Sequence, residues 1–508
     1  MFRKLAAASL SVALVSLALA APAAARPNLS GGEFNGLKKD IKKALKMGQY
    51  SMAAGKIRDM GKDDSDRALD FLCSLAKIPD AETYNAAMEA VASMKSAEVE
   101  EEILKLMEKS GKAVEKMLLV DAMAERNDPF AGKALGKAVT SKQAEVQRAA
   151  ISAIKRKKMK HAVDGLIELL EVLEKKDKEG LNYSLVQETL TAITGESFEV
   201  AADWKNYWEP RKQSFRPITG AAKKAPGGTM RRKRPRFFGS ELKSNRLVFV
   251  IDTSGSMTAA DPQTGGTRNP TGSPRGPQTG GGPAQPKPAQ SNSRVRIERA
   301  KFQLLQAIDA LPAKARFTIL AYSGVLVQGP SGQPQLPPGA DPNLLPPKMG
   351  GFEWLKIWKP KLMPANARSK EDAKKFVKGL QANGGTFTMN ALMHAFKVVG
   401  ADTVILLSDG FPNDFDVKAN KQLNGDEILD KVKAMNRMRR MVIDTFGFDA
   451  AGPPAGGGGF GGGRRAGGGT GAGPGGGGLG PMGGAGGGLS GFMKKLANQN
   501  GGSYTQIR

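Results

Sequence analysis

One carboxylate and two hydroxyls stand at alternate positions directly after an apolar run. The run 247–251 ends at Asp252, and Ser254 and Ser256 follow with Gly255 between them. Glycine tolerates backbone conformations that are closed to other residues, so this turn can bring both hydroxyls toward one point. Oxygen ligands of this kind suit hard divalent cations such as Mg²⁺, Mn²⁺ and Ca²⁺. The spacing predicts a cation site at the end of a buried strand.

Two later turns also carry oxygen-bearing side chains. Thr386 lies in a glycine-led loop, NGGT, ahead of a predicted helix, and the apolar run VILLS ends at Ser408-Asp409-Gly410. Ligands of open α/β sheets bind at the carboxyl ends of the strands, where such turns meet. One motif alone would be explained as a helix cap or an Asx turn, whereas three favour a shared site. The candidate metal ligands are Asp252, Ser254, Ser256, Thr386 and Asp409.

No motif for catalysis accompanies these residues. The sequence has no GxxxxGK[ST] phosphate loop, no HExxH pair and no nucleophile set beside a base. His394, in TMNALMHAFKVV, is expected to be structural on a helix flank. Asp414 and Asp416, in FPNDFDV, are expected to be loop charges, with tuning of the cation site as the alternative. The chain is therefore predicted not to be an enzyme.

Strand-like and helix-like segments alternate over residues 244–508. Apolar strands are predicted in RLVFVI, ARFTILAY, DTVILLS and RMVIDTFGF, with amphipathic helices between them. This alternation is typical of a mostly parallel sheet flanked by helices on both faces. Two low-complexity inserts, 258–293 and 452–491, interrupt the pattern. They are predicted to be disordered because neither carries enough apolar surface to form a core.

The three motifs, in this order, resemble the metal-ion-dependent adhesion site of the von Willebrand factor type A (VWA) family. D-x-S-x-S follows the first strand, G-G-T opens a loop, S-D-G ends a later strand, and the closing LANQNGGSY fits the family's last helix and strand. The resemblance covers residues 244–508 less the inserts and implies a Rossmann-like domain.

The resemblance also implies roles for the five candidate ligands. Ser254, Ser256 and Thr386 would bind the cation directly, and Asp252 and Asp409 would bind partly through water. An acidic side chain of a protein partner would fill the open position. Mg²⁺ is the cation that we expect, with Mn²⁺ and Ca²⁺ as alternatives.

Residues 30–210 are predicted to form a helical domain. Glycine and proline are sparse, and apolar residues recur three or four positions apart in segments of helix length. Paired helices of this kind favour an α-solenoid. The stretch DPFAGKALGKAVTSKQAEVQRAAISAIKR resembles a HEAT repeat, with Asp128-Pro129 opening its first helix and Arg148 in a V-R-x-A run offset by one residue. The fold class expected for the chain is thus α plus α/β.

Three conspicuous side chains in this helical part are expected to be structural. Cys73 is the only cysteine, so it cannot form a disulfide within the chain, and it lies in an apolar helical run. Trp204 and Trp208 stand four residues apart on one helix face and are expected to form an aromatic pair in the core.

The N-terminus has the composition of a secretory signal peptide. A basic pair precedes an apolar segment over residues 5–20, and Ala23 and Ala25 fit a small-x-small cleavage site. Residues 1–25 are predicted to be removed, which would make the mature chain secreted or periplasmic. No later apolar run reaches transmembrane length, so no membrane span is expected.

The charge balance favours anionic partners. The formal net charge is +26, and residues 211–243 form a basic linker that includes RRKRPR. Such a linker is explained either as a solvated connection or as a contact to an anionic cell-envelope polymer. Whether the two halves pack together or swing on it is left open.

Two hypotheses about the function follow from the two domains. The chain is similar to exported bacterial proteins of planctomycete type that join a HEAT-like half to a VWA half, and we expect a non-enzymatic adhesion or scaffold protein. The alternative is a nucleic-acid-binding protein like the Ro-type proteins, which also combine helical repeats with a VWA domain. The signal peptide and the lack of aromatic residues interleaved with the basic residues of RRKRPR argue against nucleic acid.

Overall fold

The computed structural model describes residues 28–218, 234–261, 291, 293–324, 347–349, 352–416, 421–448 and 488–507. The predicted signal peptide, residues 219–233 of the basic linker and nearly all of both inserts lie outside these residues. The chain divides into two compact units, Met1–Ile103 and Leu104–Arg508.

Residues 28–218 are mainly helical, as the apolar periodicity predicts. Over residues 28–218 the structure contains a short 3₁₀ turn, Lys160–Ala162, and eleven α-helices. The helices are α1 (Gly31–Lys46), α2 (Tyr50–Met60), α3 (Asp66–Leu75), α4 (Ala81–Ser93), α5 (Ala97–Lys109), α6 (Ala113–Glu125), α7 (Pro129–Ala138), α8 (Ala144–Lys157), α9 (Val163–Lys176), α10 (Leu181–Thr194) and α11 (Ala201–Trp208).

Side chains that the sequence marks as start signals cap these helices. The Asp128 carboxylate accepts a hydrogen bond from the amide of Ala131 at 2.8 Å, and Pro129 begins α7. At α1, Ser30 and Glu33 exchange hydrogen bonds in a capping box. These bonds satisfy amides that have no partner within the helix.

The expected core residues of the helical part are buried. Cys73 is enclosed within α3, and both tryptophans of α11 are buried. The indole nitrogen of Trp204 donates to Gln187 at 2.9 Å, and that of Trp208 donates to Asp164 at 3.0 Å. Each indole thus buries its ring and still satisfies its N–H group.

The second half is built on a seven-stranded sheet with the order β13-β12-β9-β3-β4-β7 and with β8 paired to β4. The first five of these strands run parallel, whereas β7 and β8 run antiparallel to β4. The strands of the described residues are β1 (Arg236–Phe237), β2 (Ser240–Glu241), β3 (Arg246–Asp252), β4 (Arg316–Tyr322), β5 (Lys348–Met349), β6 (Phe352–Glu353), β7 (Leu355–Ile357), β8 (Met363–Pro364), β9 (Thr403–Ser408), β10 (Phe415–Asp416), β11 (Lys421–Gln422), β12 (Val442–Phe448) and β13 (Tyr504–Ile507).

Helices cover both faces of this sheet. Leu247, Phe249 and Ile251 of β3 pack on one side, whereas Val248 and Val250 pack on the other, as alternation along a strand requires. The first side is covered by α12 and α13 and the second by α14, α15 and α16. These helices are α12 (Arg296–Ala310), α13 (Ala367–Lys378), α14 (Thr388–Lys397), α15 (Gly425–Asn436) and α16 (Leu489–Gln499). This is the mostly parallel α/β fold that the sequence predicts.

The strand order reverses between β3 and β9. The chain passes from β3 to β4 on one side and then returns to place β9 on the other side of β3. Ile251 and Leu407 are paired neighbours, so the next residues, Asp252 and Ser408, end adjacent strands side by side. The carboxyl ends at such a reversal leave a crevice in which open α/β sheets bind ligands.

The opposite end of the sheet contacts the helices of the same compact unit. Arg148 of α8 donates to the backbone carbonyls of Arg439 and Arg440, which lie just before β12, at 3.0 and 2.9 Å. Arg440 in turn pairs with Asp121 of α6 at 2.5 Å. Asn245, just before β3, donates to the carbonyl of Glu179 at 3.2 Å. Helices α6 to α10 therefore lie at the amino ends of the strands, away from the crevice.

Among the described residues, every helix is either too short or too polar to cross a membrane.

Candidate metal centre

Asp252 is the last residue of β3 and is fully buried. One oxygen of its carboxylate accepts a hydrogen bond from the amide of Ser254 at 2.7 Å. The other accepts from the hydroxyl of Ser408 on the adjacent strand at 2.6 Å. Both oxygens are thus held at fixed positions by the ends of two neighbouring strands.

The turn after β3 brings two serine hydroxyls together. The oxygens of Ser254 and Ser256 are 3.0 Å apart. Gly255 lies between them, and its amide donates to the carbonyl of Gly384 at 2.8 Å. A Cβ atom at Gly255 would lie 3.4 Å from that carbonyl oxygen, an ordinary van der Waals distance, so the approach of the two loops does not itself require glycine.

Asp409 connects the end of β9 to this turn. One of its carboxylate oxygens accepts from the hydroxyl of Ser256 at 2.6 Å. The other oxygen lies 2.8 Å from a guanidinium nitrogen of Arg296, the first residue of α12. The Asp409 side chain is completely enclosed.

Thr386 reaches the same place from the loop before α14. A Cβ atom at Gly410 would lie 3.2 Å from the Thr386 hydroxyl and 3.5 Å from the Ser256 hydroxyl. Both hydroxyls therefore converge on the backbone of Gly410. The carbonyl of Thr386 also accepts from the amide of Asn413 at 2.8 Å, which fastens its loop to the loop after β9.

Asp414 holds the start of α14, a role that differs from the expected loop charge. Its carboxylate accepts from the amides of Met389 and Asn390, at 2.9 and 3.1 Å, and from the Asn390 side chain at 3.0 Å. A negative charge at this end of a helix is favourable because the free amides point toward it. Burial nevertheless raises the pKa of Asp414 to about 6. Asp416 is a surface charge, as expected, and pairs with Lys431 at 2.9 Å.

The protonation of Asp252 reflects its enclosure. Burial is the largest effect and the nearby Asp409 carboxylate is the next; together they raise the pKa of Asp252 to about 7. Hydrogen bonds from Ser254 and Ser408 act in the opposite direction. A cation bound at this carboxyl would displace the proton, because a nearby positive charge favours the ionised form.

The donor set fits a hard divalent cation. It consists of two carboxylates and three hydroxyls, and such oxygen ligands suit Mg²⁺, Mn²⁺ and Ca²⁺ rather than metals that prefer sulfur or imidazole. Among the residues that the structure describes, no three His, Cys, Asp or Glu side chains form a group that could hold a metal. A cation at this crevice would therefore depend on hydroxyl ligands.

The crevice opens to solvent on one side. Asp252, Ser254, Thr386 and Asp409 are buried, whereas Ser256 is exposed. Phe411, which follows Ser408-Asp409-Gly410, is also exposed and packs on Phe492 of α16. Next to the turn, a cavity of about 210 Å³ is lined by polar groups that include Thr253, Ser323 and Asn383. A ligand can thus reach the site from the carboxyl end of the sheet.

All five predicted site residues lie in this crevice. Hydrogen bonds link Asp252 to Ser254, Ser254 to Ser256, and Ser256 to Asp409, and Thr386 faces the same glycine as Ser256. His394 lies on α14 against the ring of Trp354, which fits the expected structural role.

Sequence reasoning missed two side chains that touch the candidate ligands. Ser408 belongs to the recognised S-D-G motif, and its position at a strand end could have indicated its contact with Asp252. Arg296 is one of several basic residues in RVRIERAK, and nothing in its local pattern distinguishes it. Its proximity to Asp409, 113 residues away, exists only in the folded chain.

A comparison with models of protein families agrees with this architecture. Residues 335–455 match the family model of the von Willebrand factor type A domain. The match includes Thr386 and Asp409 but not the turn at 252–256. No curated protein matches the chain significantly.

A solved structure, "von Willebrand factor type A from Catenulispora acidiphila", is similar at 18% sequence identity with a TM-score of 0.27. The similarity covers 52% of this chain and 38% of that one, so the chain spans well under half of that structure. The family match and the mostly parallel sheet lead to one conclusion: behind its helical N-terminal region, the chain carries a von Willebrand factor type A domain.

Proposed function

We propose that this chain is a non-enzymatic adhesion or scaffold protein whose VWA domain holds a divalent cation and binds an acidic side chain of a protein partner. The role in binding other proteins rests on the domain itself, because VWA domains mediate protein–protein interactions. The role of a cation and an acidic partner rests on one observation. Five oxygen-bearing side chains meet where the strand order reverses, and one of them, Ser256, is exposed.

The chemistry of the site supports an anionic ligand. Three of the five candidate ligands are neutral hydroxyls, and the two carboxylates would bind partly through water, so few charged oxygens of the protein would touch the cation directly. A carboxylate from a partner would occupy the open position and enter from the solvent side. Mg²⁺ is the proposed cation, with Mn²⁺ and Ca²⁺ as alternatives. The residues themselves would bind and orient the cation.

Export is a further part of the proposal. It is supported by the composition of residues 1–25, which lie outside the described residues. The helical region would then offer a second surface for protein contacts at the cell envelope, and the basic linker a contact for an anionic envelope polymer.

Capture of a partner from envelope extract tests this function. Residues 26–508 are immobilised with Mg²⁺ or with EDTA, beside the double variant Asp252→Ala/Ser254→Ala. We expect a partner that is retained only by the wild type and only with Mg²⁺. Asp416→Ala serves as the matched control, because it removes a nearby carboxylate that pairs with Lys431 on the surface.

Equal retention by both proteins, or in EDTA, would contradict a metal-dependent adhesion site. Such a result would assign partner binding to the helical region or to the basic surface.

A further inference from the structure

A buried arginine lies against the candidate metal centre. The Arg296 guanidinium is 2.8 Å from the Asp409 carboxylate and 3.0 Å from the Asp261 carboxylate. The residue is 8% exposed. The guanidinium also lies 5.9 Å from the centre of the Phe448 ring. Arginine suits this position, because its rigid set of donors can contact two carboxylates at once.

The fold fixes this arginine in place. It begins α12, and its backbone amide donates to the carbonyl of Ala259 at 3.0 Å. Asp261, its second carboxylate partner, is held by Arg299 one turn further along the helix. Alternating charges thus run from Asp409 through Arg296 and Asp261 to Arg299. The Arg296 guanidinium cannot turn away without giving up its ion pair with the enclosed Asp409 carboxylate.

The presence of Arg296 changes the charge of the centre. Asp252 and Asp409 contribute two negative charges when both are ionised. The positive charge of Arg296, in contact with Asp409, offsets one of them. A divalent cation would then be neutralised only in part by the protein. In this enclosed place the repulsion between the guanidinium and the cation is stronger than in water.

We infer that Arg296 is a built-in counter-cation of Asp409 that weakens the affinity of the centre for its divalent cation and leaves a bound cation with charge for an anionic ligand. Because one oxygen of Asp409 faces the arginine and the other faces Ser256, the carboxylate is occupied on both sides. Arg296 is therefore a positioning residue that also sets the charge of the site. This inference rests on the proposed function, since it concerns the same cation.

Titration calorimetry with MgCl₂ and MnCl₂ tests the inference on residues 26–508. The variants are Arg296→Gln, which keeps hydrogen-bond donors but removes the charge, and Arg296→Lys, which keeps the charge. Arg299→Gln is the matched control, because Arg299 pairs with the same Asp261 but is one turn away from Asp409. We expect Arg296→Gln to bind the cation roughly tenfold more tightly than the wild type. Arg296→Lys and Arg299→Gln should stay close to the wild type.

The outcomes separate this inference from the proposed function. If the wild type binds the cation and Arg296→Gln, folded as shown by circular dichroism, binds it equally or less tightly, the counter-cation role is wrong and the proposed function stands. If only Arg296→Gln binds the cation, the inference holds, but the proposed function is wrong because the wild type has no working metal site. Absence of binding in every protein overturns both.

Discussion

At the scale of single residues, the proposed cation would compete with a proton for Asp252. Burial and the neighbouring Asp409 raise the pKa of Asp252 to about 7, far above the ordinary value of 3.8. Between these two values the metal-free folded chain keeps a proton that the unfolded chain has lost. The contribution of Asp252 to the free energy of unfolding therefore falls as the pH rises through this window. A bound divalent cation reverses the preference, because it favours the ionised carboxylate.

This competition predicts a pH-dependent cation affinity. Between about pH 8 and about pH 6 we expect the affinity for Mg²⁺ to fall about tenfold, because binding must displace one proton. Calorimetry in buffers of different ionisation enthalpy measures both the affinity and the proton released. In Asp252→Asn the remaining binding should be weak and should lack this proton release. A pH-independent affinity in the wild type would contradict the prediction.

At the scale of elements, the loops that carry the site are fastened to one another. Asp414, after β9, caps α14, and the Thr386 loop precedes that helix. Gly255, after β3, donates to Gly384 of the same loop. Three turns that are distant in sequence thus form one hydrogen-bonded assembly, and a change in one of them reaches the others.

Replacing Asp414 by alanine tests this connection. The change leaves three donors without their buried acceptor, and we expect a loss of about 2–3 kcal/mol in the free energy of unfolding. The affinity for Mg²⁺ should also fall, because the Thr386 loop loses its anchor. Chemical denaturation and calorimetry measure the two effects.

Asp416→Ala is the comparison, because Asp416 makes a surface ion pair and its loss should change stability by less than about 1 kcal/mol. Equal effects of the two substitutions would show that the buried cap has no special role.

The elements were predictable from sequence because their signals are local. The runs 247–251 and 403–407 predict buried parallel strands. Because these two strands are neighbours in the sheet, the motifs that follow them must lie close together. The short antiparallel strands β7 and β8 were missed, since two or three residues carry no periodicity. Arg296 was missed as a site residue for a related reason, and Asp414 was expected to be a loop charge, with tuning of the cation site as the alternative. Their roles arise from contacts across the fold, whereas their local sequence resembles ordinary surface helix and loop.

At the scale of the whole molecule, a residue that suggested a helical repeat contacts the VWA domain. Arg148, within the HEAT-like stretch, is buried and donates to two backbone carbonyls at the turn before β12. The helical pattern is sufficient to predict α8 but not what its arginine touches. Helices α6 to α10 and the sheet therefore belong to one compact unit.

Arg148→Ala should destabilise this unit. Both carbonyls would lose a charged donor, and we expect a loss of about 3 kcal/mol in the free energy of unfolding. Scanning calorimetry of residues 26–508 measures it as a lower unfolding temperature. Arg156→Ala, on the exposed face of the same helix, should stay within about 0.5 kcal/mol. A wild-type unfolding temperature for Arg148→Ala would contradict a docking role for this arginine.

The placement of helices and crevice at opposite ends of β3 has a mechanical consequence. Asp252 ends the strand at the crevice, and Asn245, just before its start, is bound to the helical region. Tension between a captured partner and the helices would run along the strand axis. Since β3 is hydrogen-bonded to β4 and β9 on its two sides, the load would shear both ladders at once rather than peel them open bond by bond. The strand that ends at the candidate ligand Asp252 is thus held on both sides against pulling.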